Sequence, residues 1–255
     1  LSSKAFSGLK SITEGFLKRA KKRGLINFCI NDFLDDLDIS DVAFHKEKKE
    51  ESREVFNTTE LPLLIDYLSK NPDIHNLGIL LMLVTGVRVG ELVSLKYEDF
   101  EDETTFHVRR TETRFTDENG KYHREISSAP KTAAGVRVVY IPRSYSWILG
   151  KIRQINPCTE YLFVRNGKRM STDAIRKRMY RICDKIGIPR RAPHACRKTC
   201  ATVMLDNQIP EKVIIGQLGH TNISCTEQFY YKDRKTPKEK RALIDNIPEF
   251  EIKES

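Results

Sequence analysis

The sequence predicts a mainly α-helical protein that carries a small antiparallel β-sheet between its helices. Three observations predict it. Apolar residues recur at helical spacing up to Leu95 and again from Ser171 onward. The stretch 104–141 changes to a two-residue period rich in β-branched side chains, and Asn119-Gly120 within it is a hairpin-turn dipeptide. Helices, then strands, then helices place the sheet at one edge of a helical body.

The elements follow in order. Leu9, Ile12, Phe16 and Ala20 predict an N-terminal helix whose end is crowded by Lys18, Arg19, Lys21, Lys22 and Arg23. The run HKEKKEESRE at 45–54 is charged and lacks an apolar period, so it reads as a linker or solvated segment. The roughly forty residues before it are few for an independent domain, so the chain is expected to begin inside one. Thr58-Thr59-Glu60 is expected to cap a helix carrying Leu61, Leu64, Ile65 and Leu68. A long apolar helix is predicted over 76–84, interrupted at Thr85-Gly86 and resumed through Leu95. Strands are predicted over 105–109, 124–127 and 136–141, with Asn119-Gly120 turning the first into the second. Ile175, Met179, Ile182 and Ile186 then form one apolar helical stripe. Further helices are predicted over 194–206, 210–218, 224–231 and, strongly charged, 238–244; the apolar residues Ile247, Pro248 and Phe250 follow the last.

Composition narrows the partners. A formal charge of +9 favours polyanions and says nothing about fold. No apolar run is long enough to span a bilayer, and the first residues do not form a secretory signal. Cys29, Cys158, Cys183, Cys196, Cys200 and Cys225 contain no C-x-x-C pair and read as small buried hydrophobes of a reducing cytoplasm. No cluster of carboxylates or histidines has the spacing of a metal cage, and neither metal nor cofactor is expected.

Four local patterns carry possible chemistry. In Thr85-Gly86-Val87-Arg88-Val89-Gly90-Glu91-Leu92, an arginine within an apolar helix needs a paired charge or a functional cleft, and Glu91 lies three residues on. In His194-Ala195-Cys196-Arg197 the i, i+3 spacing sets imidazole and guanidinium side by side on a first helical turn, whose positive end suits an anion. Gly219 is expected to end a helix, leaving His220 on the following turn, with Phe229-Tyr230-Tyr231 ten residues later. Lys131, in Pro130-Lys131-Thr132, falls near the tip of a hairpin. Each pattern alone also fits an ordinary ion pair, surface pair, core aromatic cluster or surface lysine.

Together, T-G-x-R-x-x-E-L, P-K-T, H-x-x-R and L-G-H followed by an aromatic-Tyr pair resemble the catalytic set of the tyrosine recombinases, the phage integrase family. The wording is similar to that of conjugative-transposon integrases, and the resemblance covers roughly residues 55 to 235. It implies the recombinase catalytic fold preceded by part of a helical core-binding domain. The implied boundaries are 1–44 for that partial domain, 45–56 for a linker, 57–236 for the catalytic domain and 237–255 for a protomer-docking tail. The family's arm-binding domain and first core-binding helices have no counterpart, so a fragment or incomplete chain is expected.

The resemblance also assigns roles. A tyrosine phenolate that attacks a phosphodiester conserves its bond energy in a phosphotyrosine, ready for attack by a DNA 5′-hydroxyl. Arg88 and Arg197 would clamp the charge growing on the non-bridging oxygens. Lys131 would protonate the leaving 5′-oxygen, His194 and His220 would hydrogen-bond the phosphate or assist proton transfer, and Glu91 would support them. The nucleophile is read as Tyr230, whose setting fits the apolar-Tyr wording. Phe229 is the alternative position, in which case this chain is inert, and Tyr231 is a third.

Double-stranded DNA at recombination sites is the expected partner. The basic stretch from Arg165 through Lys168 and Arg169, and then Arg176, Lys177, Arg178 and Arg181, is read as a phosphate-contacting face. With Lys18, Arg19, Lys21, Lys22 and Arg23 it would grip the duplex from two sides, as the family does. The resemblance further implies a dimer to tetramer on DNA, an accessory directionality factor, no membrane, and a bacterial cytoplasmic, nucleoid-associated location. A type IB topoisomerase-like strand transferase and a non-catalytic DNA-binding protein on the same scaffold are the alternatives.

Overall fold

The computed structural model describes residues 3–35, 54–127, 136–219 and 233–245. The chain divides into two compact units, Leu1–Lys49 and Glu50–Ser255. In the first, α1 (Ser3–Lys22) is followed by α2 (Ile30–Asp35). Helix α1 ends in a Schellman closure: the Leu25 N–H donates to Ala20 O at 3.0 Å and the Gly24 N–H to Lys21 O at 3.0 Å, with Gly24 left-handed at φ 69°. Leu9, Ile12 and Phe16 make the expected stripe, and all three are exposed.

The second unit is built around one buried helix. Helix α3 (Glu60–Lys70) starts from a reciprocal cap: Asn57 Oδ1 accepts from the Thr59 and Glu60 N–H groups, and Glu60 Oε2 accepts from the Asn57 N–H. The cap is therefore Asn57 rather than the Thr58-Thr59 pair that the sequence points to, because its carboxamide reaches both donors. Asp73 then caps α4 (Ile74–Thr85), accepting from the His75 and Asn76 N–H groups. Eleven of the twelve α4 residues are buried, as its near-continuous apolar run requires of a central helix. Gly78 gives Phe163 its place against α4, since a Cβ there would stand 3.0 Å from Phe163 Cε1.

Around α4 lie α5 (Val89–Leu92), α6 (Trp147–Ile155), α7 (Thr172–Lys185), α8 (His194–Asp206) and α9 (Glu211–Leu218). Ile175, Met179 and Ile182 of α7 are buried, as their spacing predicts.

The strands form three two-stranded pieces. β1 (Thr105–Val108) pairs antiparallel with β4 (Arg137–Tyr140), β2 (Thr111–Thr116) with β3 (Tyr122–Ser127), and β5 (Val164–Arg165) with β6 (Lys168–Arg169). The sequence reading is corrected here. Asn119-Gly120 does turn a hairpin, but one between β2 and β3; β1 turns away from it and takes β4 as its partner.

The last described helix, α10 (Pro237–Asp245), starts on its own unit: Thr58 Oγ1 donates to Glu239 Oε2 at 2.7 Å, and the Thr58 N–H to Arg234 O at 3.2 Å. Cys183, Cys196 and Cys200 are buried, and burial pushes the Cys200 thiol up to about 12. Cys29 and Cys158 are exposed, against the expectation of burial, because they lie in the segments before α2 and after α6 rather than within helices. Cys225 lies outside the described residues. Among the described residues, no helix is long and apolar enough to cross a membrane.

Candidate catalytic site

The site grows from the end of α4. Gly86 closes that helix in the left-handed region at φ 73°, where a Cβ is disfavoured. Space forbids one as well, since a Cβ on Gly86 would lie 2.5 Å from Leu218 Cδ2 and 3.3 Å from Cys200 Sγ. The glycine thus lets the ends of α4 and α9 and the side of α8 meet at one corner. The sequence places Arg88 inside an apolar helix. The structure places it at the break, as the extended N-cap of α5, because Gly86 ends α4 first; its side chain is 42% exposed.

Glu91 is the hub of the corner. Its buried carboxylate accepts from the Arg88 N–H at 2.9 Å and Arg88 Nη1 at 2.8 Å, and from Arg137 Nη1 at 3.1 Å and Arg137 Nη2 at 2.8 Å. Burial raises the carboxyl pKa. The hydrogen bonds and charge of Arg137, then the charge and main-chain N–H of Arg88, outweigh that and hold it at about 2. Arg137, itself buried on β4, also donates from Nε to Gln217 O at 3.0 Å. The Gln217 carboxamide accepts from the Tyr140 N–H at 3.0 Å and donates to Tyr140 O at 2.9 Å and Thr85 O at 3.2 Å.

Arg197 crosses the same corner. The side chain is buried, with Nη1 donating to Gly86 O at 2.8 Å and Nη2 to Leu218 O at 2.5 Å. Those carbonyls lie two residues before Arg88 and two before His220. One guanidinium therefore joins the backbones of the T-G-x-R, H-x-x-R and L-G-H segments. The sequence reading gives Arg197 to the phosphate; here these two nitrogens hold main-chain oxygens, because three helix ends converge on them.

His194 opens α8, and it does not lie beside Arg197 on one surface, since Arg197 turns inward while His194 is exposed. Packing against the inner side of the ring lowers its pKa to about 4, helped by the charges of Lys198, Arg197 and Arg88 and opposed by Glu54. Lys198 and Glu54 are themselves paired at 2.7 Å. Arg88, Glu91, His194 and Arg197 are thus gathered around one corner. Lys131, His220, Phe229, Tyr230 and Tyr231 lie outside the described residues.

The basic candidates divide by what they touch. Arg169 bonds Glu112 at 2.9 Å, Arg176 bonds Asp173 at 3.0 Å, and Arg178 bonds Asn76 Oδ1 at 2.8 Å and pairs with Asp73. Arg178 thus ties α7 to the start of α4, and Arg169 ties β6 to β2. Lys168, Lys177 and Arg181, with Arg165, line two adjoining depressions of about 130 and 650 Å³ around His75, to which the paired Arg169 and Arg178 also contribute. Burial lowers the His75 pKa, Asp73 opposes, and Arg165, Arg178 and Arg181 lower it further. In the first unit, Lys18, Arg19, Lys22 and Arg23 line an open depression of about 580 Å³. There Lys18 pairs with Glu14, and Lys21 Nζ donates to Phe28 O at 2.9 Å.

The model of the Phage integrase family matches residues 54–236. The chain belongs to the phage integrase family. It is 29% identical to a tyrosine recombinase XerC-like protein of Caldanaerobacter subterraneus subsp. tengcongensis over 81% of this chain and 57% of the relative. It is 28% identical to tyrosine recombinase XerA of Pyrococcus furiosus over 74% of this chain and 62% of the relative. The chain thus spans little more than half the length of the curated relatives it matches. Its fold resembles a structure of the Tn1549 transposon integrase in complex with transposon right end DNA, with a TM-score of 0.71 and 21% identity over 97% of this chain and 80% of that one. A crystal structure of XerA recombinase matches with a TM-score of 0.57 and 26% identity over 75% of this chain and 64% of that one.

Within this integrase-family corner, sequence reasoning missed Arg137 and Gln217. A signal existed for the first: Arg137 shares the buried face of β4 with Val139, and a charge on such a face implies a buried partner. Gln217 carried no such mark, because only the convergence of α4, α9 and β4 gives its carboxamide three main-chain partners.

Proposed function

We propose that this chain is the DNA-cleaving part of a site-specific recombinase that works through a covalent 3′-phosphotyrosine. The observation that carries the reading is the Arg197 junction, which draws Arg88, His194 and the approach to His220 to one corner of the integrase-family fold. That corner faces a phosphodiester with Arg88 half-exposed and His194 neutral near physiological pH.

In this reading the Tyr230 phenolate attacks the scissile phosphorus, and the bond from phosphorus to the DNA 5′-oxygen breaks. Lys131 gives that oxygen its proton. The reverse attack by a 5′-hydroxyl of a second strand releases the tyrosine and reseals the DNA, so no external energy source is consumed. Arg88 stabilises the charge on the non-bridging oxygens, a role for which the loss of one donor commonly costs about 10²–10³ in rate. His194 and His220 hydrogen-bond the phosphate. Arg197 joins Arg88 at the phosphate once DNA draws it from one of its carbonyls.

Residues 1–44 then serve as part of a core-binding domain, 45–56 as a linker, 57–236 as the catalytic domain, and 237–255 as a tail whose later part docks on another protomer of a dimer or tetramer. The cations around His75 and those at the end of α1 contact the phosphate backbone of double-stranded DNA. The setting is the bacterial cytoplasm, at the nucleoid.

The test uses nicked duplexes with a randomised core, incubated with the chain and with Tyr230→Phe and Phe229→Tyr variants. A denaturant-resistant, protease-sensitive DNA adduct that Tyr230→Phe loses is the expected result. An adduct that survives Tyr230→Phe moves the nucleophile elsewhere. No adduct from any of the three proteins would overturn the strand-cleavage reading.

A further inference from the structure

Arg137 is too buried to touch DNA, yet two of its nitrogens are directed at the carboxylate that also holds Arg88. Glu91 lies between two guanidiniums: Arg88 Nη1 at 2.8 Å, on a side chain 42% exposed, and Arg137 Nη2 at 2.8 Å, on a side chain 5% exposed. The three charges sum to a single positive one. The inner arginine is almost wholly shielded from solvent, so the surplus charge is presented at the outer one. Without Arg137, the buried carboxylate would pair with Arg88 alone, and the outward-facing guanidinium would be neutralised from behind. Coulomb attraction at this separation in a poorly hydrated site is strong enough for that pairing to compete with a phosphate.

We propose that Arg137 is a positioning residue that neutralises Glu91 and so leaves Arg88 its full charge for the DNA phosphate. The inference rests on the phosphate-binding role read for Arg88. The second bond of Arg137, from Nε to Gln217 O, fixes the same guanidinium to the end of α9. Its placement is thus set by a contact in which Arg88 takes no part. Gln217 in turn bonds Tyr140 of β4 and Thr85 of α4, so the strand carrying Arg137 and the helix end preceding Arg88 are held in one register.

The role makes a charge-specific demand that a packing role does not. Short duplexes are selected for binding, without any demand for cleavage, from a randomised pool. Their affinity for the chain is then measured against salt concentration. Removing one phosphate contact lowers the slope of log affinity against log salt by about 0.9. Arg88→Met is expected to lose that amount, and Arg137→Met to lose the same although its side chain is buried. Arg137→Lys, which keeps the charge, and the double variant Arg137→Met with Glu91→Gln, which removes both buried charges, are expected to keep the wild-type slope.

An unchanged slope in Arg137→Met, or loss of slope in either compensated variant, overturns the proposal. Should circular dichroism show Arg137→Met unfolded, the Lys and double variants alone decide, and both must keep the slope. The readout is separate from chemistry. A wild-type protein that shows the slope pattern but forms no covalent adduct keeps this role for Arg137 and loses the cleavage reading. Adduct formation without the slope pattern does the reverse, and absence of DNA binding by the wild type removes both.

Discussion

Replacing Glu91 by glutamine keeps the shape of the hub and removes its charge, and two independent routes give the same size of effect. The carboxyl is held at about 2 instead of 4.5. At 1.36 kcal/mol per pH unit, that shift corresponds to about 3 kcal/mol of folding stability at neutral pH. Taking the partner from a buried charge costs about 3–5 kcal/mol, and the Arg137 side chain is only 5% exposed. For a unit of this size, a loss of about 3 kcal/mol lowers Tm by roughly 6–12 °C. The pKa is depressed in the folded state, so the stabilisation is complete above the unfolded value of 4.5 and is lost as pH falls through 4.5 towards 2. Urea denaturation of wild type and Glu91→Gln at about pH 7 should differ by about 3 kcal/mol, and at about pH 3 by about 1 kcal/mol, since most of the linkage is gone there. Other acidic groups titrate in both proteins and cancel in the difference. A gap below about 1 kcal/mol at neutral pH, or one that stays constant between the two conditions, refutes the hub.

Other expectations follow from the same corner and its surroundings. Gly86→Ala, which adds both a left-handed strain and a 2.5 Å contact with Leu218, should destabilise by about 2–4 kcal/mol in thermal or urea melts. Gly90→Ala should cost about 1–3 kcal/mol, because its Cβ would stand 2.7 Å from Thr111 Oγ1 and 3.0 Å from the Glu112 main-chain oxygen. Gly150→Ala, in α6 with nothing within 4 Å, should instead stabilise by about 0.5–1 kcal/mol. His194 should titrate well below 6.5 in an NMR experiment and rise on addition of DNA, whose phosphates favour the imidazolium. Its depressed pKa means that its contribution to stability is present above 6.5 and is lost as pH falls from 6.5 to 4, a dependence that His194→Gln should flatten.

The helices were legible from a periodic apolar stripe, as in α7, or from a near-continuous apolar run, as in α4. Ile175, Met179 and Ile182 are buried as their spacing predicts, and Gly219 ends α9 left-handed at φ 66°. The mainly helical fold and the family resemblance were readable from such patterns together with the order of the motifs. The sheet was legible in composition and not in pairing. In β2 the inward residue is Glu112, bonded to Arg169 and Thr172, so the strand shows no apolar alternation to mark its buried face. Without β2, the turn at Asn119-Gly120 had only β1 to be joined to. At the site, Arg88 and Glu91 were legible as a local pair. The contributions of Arg137 and Gln217 come from 46 and 126 residues beyond Glu91, and no local spacing encodes a meeting of that range.

The Gln217 carboxamide answers the N–H and the carbonyl of Tyr140 as a neighbouring strand would. Among the described residues β4 has β1 on one flank only, and a half-finished ladder is an invitation for another extended chain to add itself. A single side chain from a helix occupies that rung, so the Tyr140 main-chain groups on this flank are already taken. The same contact that sets the register of the corner therefore also covers the sheet margin at Tyr140. Gln217→Ala, which uncovers both main-chain groups, is expected to show this as concentration-dependent aggregation before any loss of helix content.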